Sequence, residues 1–279
     1  MTSPRLLALD LDGTLYRSDG TISEWDVDAV RRAHDNGITV TIATGRISTG
    51  AMPAARELSI KAPMVCAEGA TILDPVTGAV LARQAMEGDH VEWFTHTATE
   101  HGLAPFWITH DEIHGEERGR THVDYVGIWS PEVNLYDRLA DSHAWEKRHE
   151  VTIAVALGDH DSVKSALERV QSEHPETLIA ARFPIDARRL TWTLLVRSAR
   201  HDKATGLADV ARRLGLEASD VAVVGDWVND IPMFRWAGRS FVMGQSPDHI
   251  AEHATDRLTA TSATGGGVAE AVMKLLRER

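Results

Sequence analysis

The sequence contains few cysteines and few basic residues, and each shortage argues against a class of protein. Cys66 is the only cysteine among 279 residues, so no disulfide can form within the chain and a reducing compartment is expected. Lysine and arginine number 29 against 41 acidic residues, which gives a formal net charge of -12. Nucleic acids and anionic membranes bind basic surfaces, so this charge argues against both as main partners. A small phosphorylated ligand needs only a locally positive pocket, so it stays compatible with a net charge of -12.

Long apolar runs are also missing. No stretch of about 18 apolar residues occurs, so no transmembrane helix is expected. The N-terminal sequence MTSPRLLALDLDG has an apolar run that is too short for a signal peptide, and aspartates interrupt it. These features predict a soluble cytoplasmic protein. A hydrophobic content of 43% with 25% charged residues is typical of a globular chain that buries a core.

Strand and helix patterns alternate in the first 70 residues. The apolar run at 6–9 predicts a buried parallel strand, and the segment 23–37 predicts a helix with Ser23 as its N-cap. Further strands are predicted at 38–46 and 62–70. Strand, helix and strand at this spacing form a right-handed βαβ unit, which implies a parallel sheet. The last third repeats the pattern, with strands predicted at 190–198, 221–226 and 240–244.

The middle of the chain has a different pattern. The predicted elements are a hairpin at 72–82, a helix at 89–102, two short strands around a polar turn at 106–117, and a strand followed by a helix at 151–174. We predict that the segment from about 84 to 190 forms a second domain inserted into the first.

Asp10 and Asp12 lie one residue apart directly after the first predicted strand. A calcium loop of the EF-hand type requires a glycine at its sixth position and a glutamate at its twelfth, whereas here Gly13 is fourth and Thr21 is twelfth. Calcium is therefore not expected. Asp-x-Asp-Gly is also common as a simple turn after a strand. However, Asp10 would lie at the carboxyl end of a parallel strand, where open α/β sheets bind their ligands.

Other polar residues follow predicted strands or start predicted helices. Asp226 ends an apolar strand in VVGDWVNDIPMF, Thr44 ends the second strand, and Lys203 starts a helix. Asn229 and Asp230 open the next predicted helix. Structural alternatives exist for these two residues and for the lysine: Asn229 or Asp230 would serve as a helix N-cap, and Lys203 would be a solvated surface residue.

Together these residues form a coherent site. Four aspartates would repel one another unless a cation is bound, and oxygen ligands of this kind suit Mg²⁺. These aspartates are Asp10, Asp12, Asp226 and Asp230. Lysine, threonine, an asparagine amide and backbone N–H groups are donors suited to a phosphate. A metal, a lysine and a nucleophilic carboxylate are the parts required for phosphoryl transfer through an aspartyl-phosphate.

Four motifs carry a resemblance to a known superfamily. They are DLDGTL at 10–15, an apolar stretch ending in TGR at 42–46, Lys203, and GDWVND at 225–230. In this order they resemble the motifs of the haloacid dehalogenase (HAD) superfamily. The large insert between the second and third motifs resembles the Cof-type phosphatase branch, as do FVMGQSPDHIAEHA and GGGVAEAV near the C-terminus.

The resemblance implies a role for each matching residue. Asp10 would be the nucleophile that attacks phosphorus, and Asp12 would protonate the leaving alcohol and then activate water as a base. Mg²⁺ would bind the Asp10 carboxylate, the Asp12 backbone carbonyl and Asp226, with Asp230 nearby or acting through a water. The groups that would hold the phosphoryl oxygens belong to Leu11, Thr44, Gly45, Lys203 and Asn229.

The sequence departs from the pattern of that branch at several positions. Ala204 follows the lysine where glycine is usual, and Trp227 is bulky for its place in the fourth motif. Glu68 and Gln245 stand where asparagine is typical. None of these changes removes a catalytic group, but a position near the site would let Glu68 alter the substrate preference.

Two further motifs are interpreted as structural. In GDHDS at 158–162, a second Asp-x-Asp lacks a following Gly-Thr, and Asp161 is expected to cap a helix. In HDEIH at 110–114, two histidines are four residues apart. The zinc-protease motif requires a helix and a glutamate after the first histidine, whereas Asp111 lies there in a predicted hairpin. The same turn could still face a substrate.

The predicted fold is α/β: a Rossmann-like three-layer core with a parallel sheet (1–83 and 191–279) and an inserted α/β cap domain (84–190). The predicted function is Mg²⁺-dependent hydrolysis of a small phosphomonoester, a sugar phosphate or similar metabolite, because an inserted cap would exclude large substrates. Two alternatives remain: a phosphosugar mutase on the same chemistry, and a non-catalytic phosphometabolite-binding protein. The intact set of Asp10, Asp12, Lys203 and Asp226 favours an enzyme.

Overall fold

The computed structural model describes residues 4–130, 132–185 and 190–277. The strands in this part of the chain are β1 (Leu6–Leu9), β2 (Thr39–Ile42), β3 (Met64–Cys66), β4 (Thr71–Leu73), β5 (Val80–Arg83), β6 (Ala104–Ile108), β7 (Ile113–Glu116), β8 (Val133–Tyr136), β9 (Ile153–Gly158), β10 (Leu178–Pro184), β11 (Trp192–Ser198), β12 (Val221–Gly225), β13 (Arg239–Val242) and β14 (Asp256–Arg257). The helices are α1 (Glu24–Asp35), α2 (Ser48–Glu57), α3 (Gly88–Glu100), α4 (Val123–Val126), α5 (His160–Glu173), α6 (Lys203–Arg213), α7 (Ile231–Trp236), α8 (Asp248–Ala251) and α9 (Gly267–Arg277).

The chain divides into two compact units. Unit 1 comprises Met1–Arg46, Ala51–Arg83 and His201–Arg279, whereas unit 2 comprises Ile47–Gly50 and Gln84–Arg200. The strand β11, which the sequence interpretation assigned to the core, belongs to unit 2 instead. The physical reason is its hydrogen bonding, since β11 pairs antiparallel with both β9 and β10.

Unit 1 contains a parallel sheet between two layers of helices. Its strand order is β14-β13-β12-β1-β2, and every pair is parallel. Successive residues of a strand point to opposite faces. Leu7 and Leu9 of β1 therefore pack with α1, α2 and α9, while Leu6 and Ala8 pack with α6 and α7. The predicted Rossmann-like three-layer core is confirmed.

The third predicted strand, β3, pairs mainly outside this sheet. It forms a separate antiparallel sheet with β4 and β5. A single parallel bridge between Ala43 and Val65 connects it to the end of β2, next to the hydrogen bond from the Thr44 N–H to the Val65 carbonyl at 2.9 Å. The loop that follows β3 is thereby anchored beside the end of β2.

Unit 2 is an α/β unit with a six-stranded sheet in the order β10-β11-β9-β6-β7-β8. All its pairs are antiparallel except β7 with β8. The apolar core of the unit includes residues of α3 and α5. The expectation that Asp161 caps α5 is wrong, because the Asp159 carboxylate accepts the N–H groups of Asp161 and Ser162 at 3.0 and 2.9 Å.

The HDEIH segment belongs to the packing of unit 2. His114 is fully buried in β7, and its Nδ1 lies 3.3 Å from the Tyr136 hydroxyl. Burial lowers the pKa of this histidine, and the charge of Lys147 lowers it further.

In the described part of the chain, no helix combines the length and the apolar character needed to cross a membrane.

Candidate active site

The predicted site residues of unit 1 meet at the carboxyl end of its parallel sheet. Leu9, the last residue of β1, is in register with the last residue of β2 and with Val224 of β12. Asp10, Thr44 and Asp226 follow these strand ends within two residues. Residues far apart in the chain are therefore neighbours because the hydrogen-bond register aligns the strands that precede them, at the edge where open α/β sheets bind ligands.

Lys203 is fully buried and ion-paired. Its Nζ donates to Oδ1 of Asp10 at 2.7 Å and to Oδ1 of Asp230 at 2.6 Å, and its side chain has no solvent exposure. The start of α6 fixes its position, because the Asp202 carboxylate accepts the Thr205 N–H at 2.8 Å while the Asp202 N–H donates to the Thr205 hydroxyl at 2.9 Å. The alternative of a solvated surface lysine is thus excluded.

Asp230 uses both carboxylate oxygens to hold the site together. One oxygen accepts from Lys203, and the other accepts the N–H groups of Asp226 and Trp227 at 2.8 and 3.0 Å. A Cβ atom added to Gly225 would lie 2.5 Å from the Asp230 carboxyl carbon, so only glycine permits this close approach. Asp230 thereby connects the end of β12 with the buried lysine.

Three carboxylates form a cluster that could hold a metal ion. Oxygen atoms of Asp10, Asp226 and Asp230 lie within 4.8 Å of one another. Among the described residues, these three carboxylates form the group of side chains placed closely enough to bind one metal ion. Burial, followed by the charge of Asp230, raises the pKa of Asp226 to about 7. Burial also raises the pKa of Asp10 well above its usual range, against the opposing charge of Lys203. A divalent cation would lower both pKa values, so the all-oxygen donor set fits one.

The Asp12 side chain has a different partner. Its two oxygens accept from Nη2 and Nε of Arg46 at 2.5 and 2.8 Å, a two-point geometry that fixes the carboxylate in one orientation. The Arg46 guanidinium also lies 4.8 Å from the centre of the Tyr16 ring. Sequence reasoning gave no role to Arg46, although its place after the strand that neighbours β1 was a usable signal.

Gly13 allows the turn after β1 to approach the acidic cluster. Its φ of +82° favours glycine, and a Cβ atom there would lie 2.2 Å from Oδ2 of Asp226. Gln245 supports this turn, because its Nε2 donates to the Gly13 carbonyl at 2.7 Å and its Oε1 accepts the Ser262 N–H at 3.1 Å. Gln245 therefore ties the turn after β1 to the loop that contains Ser262.

The groups predicted to bind phosphate lie in the same region. The carbonyl of Leu11 accepts three N–H groups of the turn after β1. Thr44 is fully buried, and its hydroxyl accepts the Arg46 N–H at 3.1 Å. The amide nitrogen of Asn229 donates to Oε1 of Glu68 at 2.9 Å, and that oxygen lies against Gly45. The phosphate-binding role of these residues stays a prediction.

Comparison with known proteins identifies the family of the chain. The sequence profile of the haloacid dehalogenase-like hydrolases matches residues 7–272. A 5-amino-6-(5-phospho-D-ribitylamino)uracil phosphatase of Bacillus subtilis (strain 168) is 29% identical over 268 residues, covering 96% of this chain and 94% of the relative. An HMP-PP phosphatase of Enterobacter sp. (strain 638) is 31% identical over 256 residues, covering 89% and 87%.

Solved structures share the architecture over nearly the whole chain. A haloacid dehalogenase-like hydrolase from Bacteroides thetaiotaomicron has a TM-score of 0.82 at 22% identity, covering 98% of this chain and 99% of that one. A B. subtilis hydrolase of the same kind has a TM-score of 0.80 at 22% identity, covering 96% and 99%. The chain therefore belongs to the haloacid dehalogenase-like hydrolases, as a phosphoric monoester hydrolase.

Proposed function

We propose that this enzyme hydrolyses a small phosphomonoester, a sugar phosphate or similar metabolite, with Mg²⁺ and through an aspartyl-phosphate on Asp10. One observation carries the proposal: a fully buried lysine contacts two of three clustered carboxylates at the ligand-binding edge of the sheet. Burying such a network is costly, and groups with strongly shifted pKa values are concentrated at catalytic sites. The network is therefore better explained by phosphoryl chemistry than by stability.

The proposed metal ligands are the carboxylates of Asp10 and Asp226 and the backbone carbonyl of Asp12, with Asp230 nearby. Bound Mg²⁺ supplies positive charge that stabilises the oxygens of the phosphoryl group. Asp230 is the least free of these residues to bind an ion directly, because both its oxygens already accept hydrogen bonds from the protein.

In the proposed reaction, the Asp10 carboxylate forms a bond to phosphorus while the bond to the ester oxygen breaks. Asp12, in its protonated form and released from Arg46, donates a proton to the leaving alcohol. Its carboxylate then takes a proton from the water that attacks phosphorus, while the bond between phosphorus and the Asp10 oxygen breaks, which frees phosphate and restores the Asp10 carboxylate. Lys203 orients Asp10 through its Oδ1. The groups proposed to hold the phosphoryl oxygens are the backbone N–H groups of Leu11 and Gly45, the Thr44 hydroxyl, Lys203 and the Asn229 amide.

The relatives support the substrate class. The compound in the name of the Bacillus relative carries its phosphate on a D-ribityl chain, which is a sugar alcohol. We propose a small phosphorylated metabolite as the substrate of this chain too, with neither nucleic acid nor membrane as partner. Unit 2 is proposed to choose among such metabolites.

The nucleophile is tested by substitution. Asp10→Asn is expected to lower phosphate release from p-nitrophenyl phosphate by about a thousandfold or more, because an amide cannot form the aspartyl-phosphate. Asp28→Asn, which changes an exposed aspartate of α1, is the matched control and is expected to keep full activity. Substantial turnover by the Asp10 variant would refute the assignment.

The metal is tested by its removal. Treatment with EDTA is expected to abolish phosphate release from p-nitrophenyl phosphate, and added Mg²⁺ is expected to restore it, because the clustered carboxylates need a cation. Activity that is indifferent to both additions would contradict the proposed magnesium site. A sample treated with the Mg²⁺ chelate of EDTA controls for effects of the chelator itself.

A further inference from the structure

The loop after β3 holds Glu68 in an uncommon backbone conformation. Ala67 and Glu68 both have positive φ angles, 50° and 55°, and Gly69 follows at 97°. Residues other than glycine rarely adopt this left-handed region, so their surroundings must enforce it. The N–H groups of Ala67 and Glu68 donate to the carbonyls of Arg46 and Thr44 at 2.8 and 3.1 Å. The loop is thereby tied to the segment after β2, beside residues proposed to bind phosphate.

The Glu68 carboxylate lies between two of those residues. Its Oε1 accepts from Nδ2 of Asn229 at 2.9 Å, and a Cβ atom added to Gly45 would lie 2.4 Å from the same oxygen. The residue is only 9% exposed. Its second oxygen, Oε2, is buried and has no hydrogen-bond partner within the described part of the chain. A buried carboxylate oxygen without a donor is costly, so Oε2 is ready to accept a hydrogen bond from a ligand.

The chemistry of the site indicates which group supplies this donor. The oxygens of a dianionic phosphate ester are acceptors, and a carboxylate repels them. The Nζ of Lys203 donates to Asp10 and Asp230 rather than to Glu68. The donor is therefore expected on the part of the substrate next to its phosphate, as a hydroxyl or an amino group.

We propose that Glu68 is a specificity-determining residue, which selects phosphomonoesters that carry a hydroxyl or amino donor close to the ester. The inference rests on the proposed phosphatase function and narrows its substrate class. A hydrogen bond to a charged acceptor corresponds to a preference of about tenfold to a hundredfold over an analogue that lacks the donor. The same carboxylate disfavours esters that bring only a phosphate and an apolar chain.

Glycerol 1-phosphate and n-propyl phosphate differ only in their hydroxyl groups and test this selection. The wild type is expected to have a kcat/KM at least about tenfold higher for glycerol 1-phosphate. Glu68→Met removes both carboxylate oxygens, so the preference is expected to fall to about threefold or less, with n-propyl phosphate hydrolysed at least as well as before. Glu68→Gln keeps the shape of the side chain, but its one oxygen is expected to keep the hydrogen bond from Asn229 Nδ2, so its NH2 group replaces Oε2. The preference is therefore expected to fall below that of the wild type, because the substrate donor loses its charged acceptor.

A matched variant and a parallel assay separate the possible outcomes. Glu252→Gln removes an exposed carboxylate of unit 1 and is expected to leave the preference unchanged. A wild type without the preference, or a Glu68→Met enzyme that keeps it, would overturn the inference. Phosphate release from glycerol 1-phosphate and other phosphorylated metabolites with Mg²⁺ is measured on the same proteins. If the wild type releases no phosphate in that assay, the proposed function is overturned. If it releases phosphate but shows no preference between the two esters, only the proposed role of Glu68 is overturned.

Discussion

Lys203 carries its charge where its side chain has no contact with solvent. Burial alone would lower its pKa, but the charges of Asp10 and Asp230 outweigh that effect and hold the pKa well above its usual value. The lysine is therefore protonated, and it compensates two carboxylates that burial would otherwise disfavour. Stability and function depend on the same three side chains.

Removal of this charge is expected to destabilise the protein. Lys203→Met leaves Asp10 and Asp230 buried without a counterion, which corresponds to a loss of about 3–5 kcal/mol in the free energy of unfolding. The measurement is urea unfolding followed by circular dichroism. Lys274→Met is the control, because that lysine is partly exposed and lies 3.7 Å from Asp256, so its loss is expected to cost less than about 1 kcal/mol. Equal losses in the two variants would contradict the proposed network.

At the scale of elements, the start of α6 is the feature that places the lysine. The N-cap Asp202 precedes Lys203, and a Cβ atom added to Gly69 would lie 2.0 Å from the Asp202 carbonyl. The loop that carries Glu68 therefore packs directly on the start of this helix. A change in either segment is expected to disturb the other, because neither has room to move towards it.

The cap of α6 is predicted to affect both stability and activity. Asp202→Ala removes the side-chain acceptor for the Thr205 N–H and is expected to cost about 1 kcal/mol of unfolding free energy. It is also expected to lower kcat for p-nitrophenyl phosphate about tenfold, because a frayed first turn displaces Lys203 from Asp10. Both quantities are measured on the same preparation.

The N-cap of α5 offers a matched control in unit 2. Asp159 accepts two backbone N–H groups, so Asp159→Ala is expected to cost a similar free energy of about 1 kcal/mol. Its kcat for p-nitrophenyl phosphate is expected to remain that of the wild type. Loss of activity in both variants would mean that general destabilisation, and not the position of Lys203, explains the effect.

At the scale of the whole molecule, unit 1 is proposed to carry the chemistry and the selection by Glu68 for a donor next to the phosphate, whereas unit 2 is proposed to select among such metabolites. The motif residues belong to unit 1, whereas unit 2 is an insertion with its own sheet and its own apolar core. An insertion that folds around its own core can change its surface residues without disturbing the catalytic groups, because its own residues form that core.

Exchange of the insertion tests this division. Replacement of residues 84–200 by the matching segment of the Bacillus relative is expected to change the ranking of phosphorylated metabolites by kcat/KM. Hydrolysis is expected to remain dependent on Asp10, which the Asp10→Asn form of the exchanged protein checks. An unchanged ranking would show that unit 2 does not select the substrate.

Much of the fold and of the candidate site could be predicted from the sequence. The core strands are short apolar runs, and Asp10, Thr44 and Asp226 each follow one of them, so their positions follow from a local pattern. The pattern was less informative for β11, because an apolar run indicates a buried strand but not the sheet to which it belongs. The same limit explains why Asp161 was mistaken for the cap, since two neighbouring aspartates are equally suited to it by type.

The sequence by itself determined the residue types, their order and the strand ends that bear them, because hydrophobic periodicity and motif spacing are local properties. Only the tertiary structure decided which side chains meet. Three contacts join residues from different elements: the two hydrogen bonds from Arg46 to Asp12, those from the buried Lys203 to two aspartates, and the one from Asn229 to Glu68. Such contacts depend on strand register and on loop conformation, and no single stretch of sequence encodes either of them.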